Sequence, residues 1–201
     1  GIVQKRDSQY RLNEEFLILN DFAKEYFHQA HRGIISSSLL SDSSYETEAE
    51  TRLHDLGGYR KESYDIIWEN PRSFLLSADE NLSIDSPEFH PTGPERFQEY
   101  GIELVPTNKR YYLYDEDIDD ITPQELVCHT LLIDDGTRYR TYCLLLIEKE
   151  GIHEEVQEGS EKYGIEELAN SLIRYLKGEE VKGMPDREEL ESTARKYEVK
   201  I

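Results

Sequence analysis

Residues 1–16 read GIVQKRDSQYRLNEEF, and their reading decides the first element of the fold. Two short apolar-bearing runs, Gly1-Ile2-Val3-Gln4 and Tyr10-Arg11-Leu12-Asn13, flank the polar cluster Lys5-Arg6-Asp7-Ser8-Gln9. Turn formers between two β-prone runs predict strand, turn and strand. From about Glu14 the pattern changes. Phe16, Leu17, Leu19, Asn20, Ala23, Tyr26, Phe27 and Ala30 recur at three and four spacings and predict a helix over 14–32. Asn13 is the expected N-cap, with Glu14 and Glu15 suiting the positive end of the helix dipole. His28, His31 and Arg32 complement the other end, and no third ligand near the two histidines points to a metal.

The pattern downstream is mixed. Ile34 to Glu50 is serine-rich and then acidic, the best boundary in the chain. Ser63–Trp68 and Ser73–Leu76 read as strands around the turn Glu69-Asn70-Pro71-Arg72. A polar loop is expected over Asp79–Pro91. Thr92-Gly93-Pro94-Glu95 opens a helix that stops at Gly101. Ile102–Val105 and Arg110–Tyr114 are expected to form a hairpin. Thr122-Pro123-Gln124-Glu125 then joins a cap, a proline at the first helical position and a capping-box glutamate, a strong helix start. Thr137 is the expected cap of the next helix, 138–150, whose Leu144-Leu145-Leu146-Ile147 run predicts a core element. Helices over 153–163, 165–177 and 186–197 complete the chain. The fold class is α+β. The expected divisions are 1–33 (hairpin and long helix), 34–58 (connection), 59–121 (small α/β unit) and 122–201 (helical region).

The 201 residues carry 43 acidic and 23 basic side chains, a net charge of −20, which disfavours nucleic acid as a partner of the chain as a whole. It suits a solvated acidic shell of the kind found in salty cytoplasm. No apolar run reaches membrane-spanning length and no signal peptide is evident, so no membrane partner and a cytoplasmic location are expected. The absent initiating Met leads to the expectation that the natural start has been removed. Cys128 and Cys143 sit in apolar helical patterns and read as buried, reduced thiols.

Four groups of residues invite functional readings. Lys5, Arg6, Ser8, Gln9 and Arg11 on the first hairpin are the candidate nucleic-acid contacts. Arg138, Tyr139, Arg140 and Tyr142 are a candidate partner-binding surface, because Arg and Tyr favour interfaces. The alternative for this group is an internal pairing of Arg138 or Arg140 with Asp134, Asp135 or the acidic segment. Asp115-Glu116-Asp117-Ile118-Asp119-Asp120 is the densest acidic run. It lacks the EF-hand spacing and reads as a solvated loop, but a metal held there is the basis of a rival reading, a nucleic-acid or nucleotide-processing enzyme. Asp65, Glu103 and Lys109 do not match the Glu-x-Lys spacing of metal-dependent nucleases. His129, on a helix beside Cys128, reads as a satisfied core histidine. No phosphate-cradling loop, nucleophile elbow or metal-ligand spacing occurs, so no catalytic residue, cofactor or metal is assigned.

A basic-tipped hairpin feeding a helix is how a winged helix-turn-helix domain ends, and GIVQKRDSQYRLNEEF resembles the wing of archaeal regulators of that type. IIWENPRSFLLSADE, FHPTGPERFQEYGIEL, RYYLYDED and PQELVCHTLLIDDGTRYRTYCLLLIEKEG resemble the effector part of haloarchaeal ones. The layout is also similar to the AbiEi group of antitoxins. The resemblance implies the regulatory, partner-binding portion of a DNA-binding transcriptional regulator, antitoxin-like, whose recognition helix would precede Gly1. It implies duplex DNA as a partner of the intact wing, a nucleotidyltransferase-type partner protein, and a homodimer matching a palindromic operator. A third reading is a protein-docking scaffold.

Overall fold

The computed structural model describes residues 3–6 and 9–12 as backbone, and residues 64–80, 82, 84–104 and 108–201 in full. The chain divides into two compact units, Gly1–Tyr45 and Glu46–Ile201. In the first, β1 (Val3–Arg6) and β2 (Gln9–Leu12) form an antiparallel, two-stranded sheet. Val3 pairs with Leu12 and Arg6 with Gln9, so only Asp7 and Ser8 lie between the last paired residues. Lys5, Arg6 and Gln9, expected in the turn, are strand residues. Ser8 and the helix expected over 14–32 lie outside the described residues, as does the connection over 34–58.

The second unit is α+β. Its sheet comprises β3 (Tyr64–Glu69), β4 (Phe74–Asp79), β5 (Phe89–Thr92) and β6 (Lys109–Tyr114) in the order β3-β4-β6-β5, all antiparallel. The β3–β4 turn is set by Asn70, whose Oδ1 accepts from the backbone N–H of Arg72 (2.8 Å) and of Ser73 (2.7 Å).

Two expectations need correction. The loop assigned to Asp79–Pro91 contains the start of β5. Pro91 argues against a strand, but β5 is an edge strand, where a missing N–H is tolerated. The expected hairpin of Ile102–Val105 with Arg110–Tyr114 does not form. β6 lies between β4 and β5 instead, and Ile102–Leu104 are not a strand. Ile102 is fully buried, and its N–H donates to the Phe97 carbonyl at 3.0 Å, closing the preceding helix.

That helix, Pro94–Tyr100, is 3-10 in form, and it ends on Gly101 in the left-handed region (φ 67). It begins after Gly93 (φ 82), where an added Cβ would stand 2.9 Å from Ile133 Cδ1 and 3.0 Å from Tyr111 Cδ2. Both the backbone angle and the close approach therefore require glycine.

Five α-helices follow among the described residues: α1 (Pro123–Ile133), α2 (Thr137–Glu150), α3 (His153–Tyr163), α4 (Glu166–Leu176) and α5 (Arg187–Lys196). The capping box of α1 forms as expected: Thr122 Oγ1 accepts from the Glu125 N–H and Glu125 Oε2 accepts from the Thr122 N–H. The cap of α2 is Gly136 and not Thr137, which is the first helical residue; the Gly136 N–H is held by Asp134 Oδ1 at 2.8 Å. Asp186 caps α5.

Leu144, Leu145, Leu146 and Ile147 of α2 are all fully buried, as their apolar run predicts. They pack in one core with Leu75 and Leu113 from the sheet and Leu126, Val156, Leu172 and Leu190 from the other helices. Residues of 59–121 and 122–201 thus share a single core. Alternate strand residues Phe74, Leu76, Tyr112 and Tyr114 belong to a second cluster with Phe89 and Ile84, in which the Phe74 and Tyr114 rings stack at 4.8 Å. Among the described residues no helix is long and apolar enough to cross a membrane.

Thr122→Ala removes the acceptor that closes the α1 capping box and is expected to cost about 1 kcal/mol, read as a lower urea midpoint at unchanged m-value. Gly93→Ala is expected to cost more than about 1 kcal/mol, because strain and overlap add.

Candidate functional site

The hairpin positions Lys5, Arg6, Gln9 and Arg11 through its register. Gln4 pairs with Arg11 and Arg6 with Gln9. With the two-residue alternation of a strand, these four positions share one face of the ribbon. Val3, Lys5, Tyr10 and Leu12 share the other. One face of the ribbon is therefore made entirely of polar and cationic residue types.

The segment 138–142 forms the first turns of α2. Arg140 is used within the fold: its guanidinium donates to Asp135 Oδ2 at 3.2 Å and to the Gly183 carbonyl at 3.0 Å. Its Nε is buried with no partner among the described residues. The Arg138 guanidinium lies 5.9 Å from the Tyr139 ring centroid, and Tyr142 meets Tyr197 edge-on at 6.4 Å. Arg138 is exposed, whereas Tyr139 and Tyr142 are half-buried. The internal pairing of Arg140 with Asp135 is the alternative that the sequence left open.

Three of the five carboxylates in the acidic segment 115–120 meet a cation and a fourth meets a hydroxyl. Asp115 is buried, and its Oδ2 lies 3.3 Å from the Lys162 Nζ. Asp120 pairs with Arg96 at 2.7 Å, and Asp117 lies 3.8 Å from Arg72. Glu116 accepts from the Tyr114 hydroxyl. Hydrogen bonds from Arg96 hold the Asp120 carboxyl below its ordinary range, and bonds to Glu99 and Asp120 push the guanidinium of Arg96 up. No group of three or more His, Cys, Asp or Glu side chains suited to a metal occurs among the described residues. Lys109 pairs with Asp65 at 2.9 Å, while the Glu103 carbonyl accepts from the Tyr197 hydroxyl at 2.6 Å.

The buried polar centre of this unit is His129. Its Nδ1 is 2.8 Å from Thr92 Oγ1 and its Nε2 is 2.8 Å from the Tyr163 hydroxyl. The ring is wholly inaccessible, so each nitrogen has its single partner inside the protein. Three elements meet here: the end of β5, the middle of α1 and the end of α3. The Trp68 ring packs against Tyr163 at a centroid distance of 4.8 Å, and the Lys162 ammonium lies 5.3 Å from the Tyr163 centroid. Burial raises the Tyr163 hydroxyl above its ordinary value. The satisfied core histidine was legible in the sequence. Its partners were not, because they lie 37 and 34 residues away along the chain. Cys128 and Cys143 are free and buried, and burial pushes the Cys128 thiol up to about 12.

Beside this centre, a groove between the 118–125 segment and α3 is lined by Ile118, Gly159 and Tyr163, with Asp119, Glu155 and Glu158 around them. Lys162 stands in it, bound to Asp115 and 3.9 Å from Glu125.

A family model described as HVO_2833_C, C-terminal, matches residues 86–199, more than half of the chain. The chain belongs to the HVO_2833_C C-terminal family. Among curated proteins and solved structures, nothing matches. The HVO_2833_C match spans β5 to α5, and with them Thr92, His129, Tyr163 and the groove. The hairpin, β3 and β4 lie outside it.

In this HVO_2833_C domain His129 is neutral, because burial, aided by the Lys162 charge, lowers its pKa from 6.5 to about 3. The unfolded chain takes up a proton near 6.5 that the folded protein refuses until about 3. Stability from this group is therefore complete above the upper value and is lost as pH falls through the interval. His129→Gln is expected to lower overall stability but to flatten the dependence between those two pH values. Urea midpoints of both proteins across the interval check this.

Proposed function

We propose that the chain is the regulatory and partner-binding portion of a winged-helix DNA-binding transcriptional regulator, with its β1–β2 ribbon as the wing. One observation carries the reading. The ribbon is a sheet of its own, and its register gathers Gln4, Arg6, Gln9 and Arg11 on one face. Such a face suits phosphate and sugar contacts, which position a protein on a duplex, while a helix in the major groove reads the bases. The acidic remainder repels phosphate, so contact falls to this small cationic element. Repression of an antitoxin kind, with a nucleotidyltransferase-type protein partner and a homodimer on a palindromic operator, belongs to the same proposal.

The enzyme reading has less support. A metal at 115–120 would have to displace Lys162 from Asp115 and Arg96 from Asp120.

The test is a set of anisotropy titrations of a labelled duplex with the natural full-length polypeptide at several salt concentrations. Replacing Arg6 and Arg11 together with Ala is expected to weaken binding to all sequences alike and to reduce the log–log salt slope by about 2. An unchanged slope would remove the ribbon from the duplex and with it the proposal.

A further inference from the structure

The groove between the 118–125 segment and α3 combines apolar lining residues with carboxylates. Ile118, Gly159 and the largely buried Tyr163 are among its lining residues. Three carboxylates that line it, Asp119, Glu155 and Glu158, have no cation within ion-pair distance among the described residues, whereas Asp115 and Asp120 are matched by Lys162 and Arg96. A second groove, between α3 and α4, is lined only by polar side chains and is bridged by Gln157 and Asn170 at 2.5 Å, so it offers charge without an apolar floor.

The arrangement on α3 has a simple sequence cause. Glu155 stands three and four residues before Glu158 and Gly159, and Lys162 four and three residues after them, so the four border one face of the helix. Gly159 removes a side chain from the middle of that face and leaves the helix backbone open beside Gln124 Cγ, where an added Cβ would come within 3.8 Å. Carboxylates flank the gap, and Tyr163 lies at its end.

We propose that this groove docks a basic, amphipathic segment of a partner protein, in which arginine or lysine alternates with apolar residues. The apolar side chains would cover Ile118 and the Gly159 gap, and the cationic heads would meet Asp119, Glu155 and Glu158. Charge complementarity selects this occupant. An acidic or nucleic-acid ligand would be repelled by the same rim, and a purely apolar one would leave the carboxylates desolvated and unpaired. The proposal is independent of the hairpin's role, since every residue that lines the groove lies within 118–163.

Trp68 supplies the readout. It is the only tryptophan in the chain and packs on Tyr163, which lines the groove. The probe is a blocked leucine–arginine alternating hexapeptide, titrated into the full chain and followed by Trp68 emission and calorimetry. Hexaarginine and a leucine–glutamate hexapeptide serve as comparisons. Saturable binding of the first peptide, with a change in emission, is expected. Glu155→Gln with Glu158→Gln should raise its dissociation constant about tenfold. Glu188→Gln with Glu189→Gln, an equal loss of charge on the first turn of α5, should change it by less than about twofold. Three results overturn the proposal: no binding of the alternating peptide, equal binding of hexaarginine (long-range attraction to a polyanion), or equal weakening by the two charge-matched pairs. Thermal denaturation of each variant confirms that a lost signal reflects the groove and not the fold.

Discussion

A buried imidazole with both nitrogens occupied is the constraint on which the second unit is assembled. His129 sits at the centre of α1, and its two hydrogen bonds fix where the end of β5 and the end of α3 must lie. An unmet nitrogen in this site would carry a desolvation cost of about 1–3 kcal/mol, so moving either neighbour is opposed by more than lost packing. Thr92 is held beside Gly93, whose left-handed backbone starts the 3-10 helix. Tyr163 is held beside Gly164, whose left-handed backbone ends α3. A polar pin and two glycine turns together fix the sheet against the helices. The apolar core around Leu145 and Leu146 supplies the larger favourable energy, but it is non-directional. The pin supplies the direction.

The excess of acid is distributed with local order. Near the sheet, carboxylates meet cations from distant parts of the chain: Asp115 with Lys162, Asp120 with Arg96, Asp65 with Lys109. Asp115 is buried, so its pairing is the consequential one. The exposed pairs contribute little individually. On α3, Glu155 and Glu158 meet no cation among the described residues, on the face that borders the groove. Net charge thus describes the molecule poorly. What matters for recognition is which carboxylates lack a partner, and a composition total carries no such information.

Local rules made much of the fold legible. The Thr122 capping box, the Gly101 stop, the turn at Asn70 and the buried 144–147 run are each specified by neighbours a few residues away, and each forms. The misreadings share one cause. Pro91 in β5 is allowed only because tertiary pairing places that strand at a sheet edge. Ile102–Leu104 have strand-like residues but are diverted by the closure of the preceding helix. Of the candidate site residues, Arg140 pairs across 43 residues with Gly183, which no local pattern announces. Lys162 and Tyr163 read only as an ordinary helix end. Their importance comes from Asp115 and His129, on the far side of a loop and a helix. Periodicity reports what a residue does to its own element. It is silent on what a side chain meets after folding.

The strand order separates the family-matched segment from the unit that can fold. The HVO_2833_C match begins at residue 86, inside the loop before β5. Yet β6, within the match, pairs along six positions with β4, which precedes it, from Phe74 opposite Tyr114 to Asp79 opposite Lys109. A chain beginning at residue 86 would leave that edge of β6 open. It would also remove Leu75 from the helical core and Phe74 from its stack on Tyr114. Trp68 would leave Tyr163, and with it one wall of the site around His129. Strand pairing therefore carries the folding unit back through β4 and β3, at least to Tyr64. The shorter family segment has its structural meaning only in the presence of these two strands, which the match itself does not include.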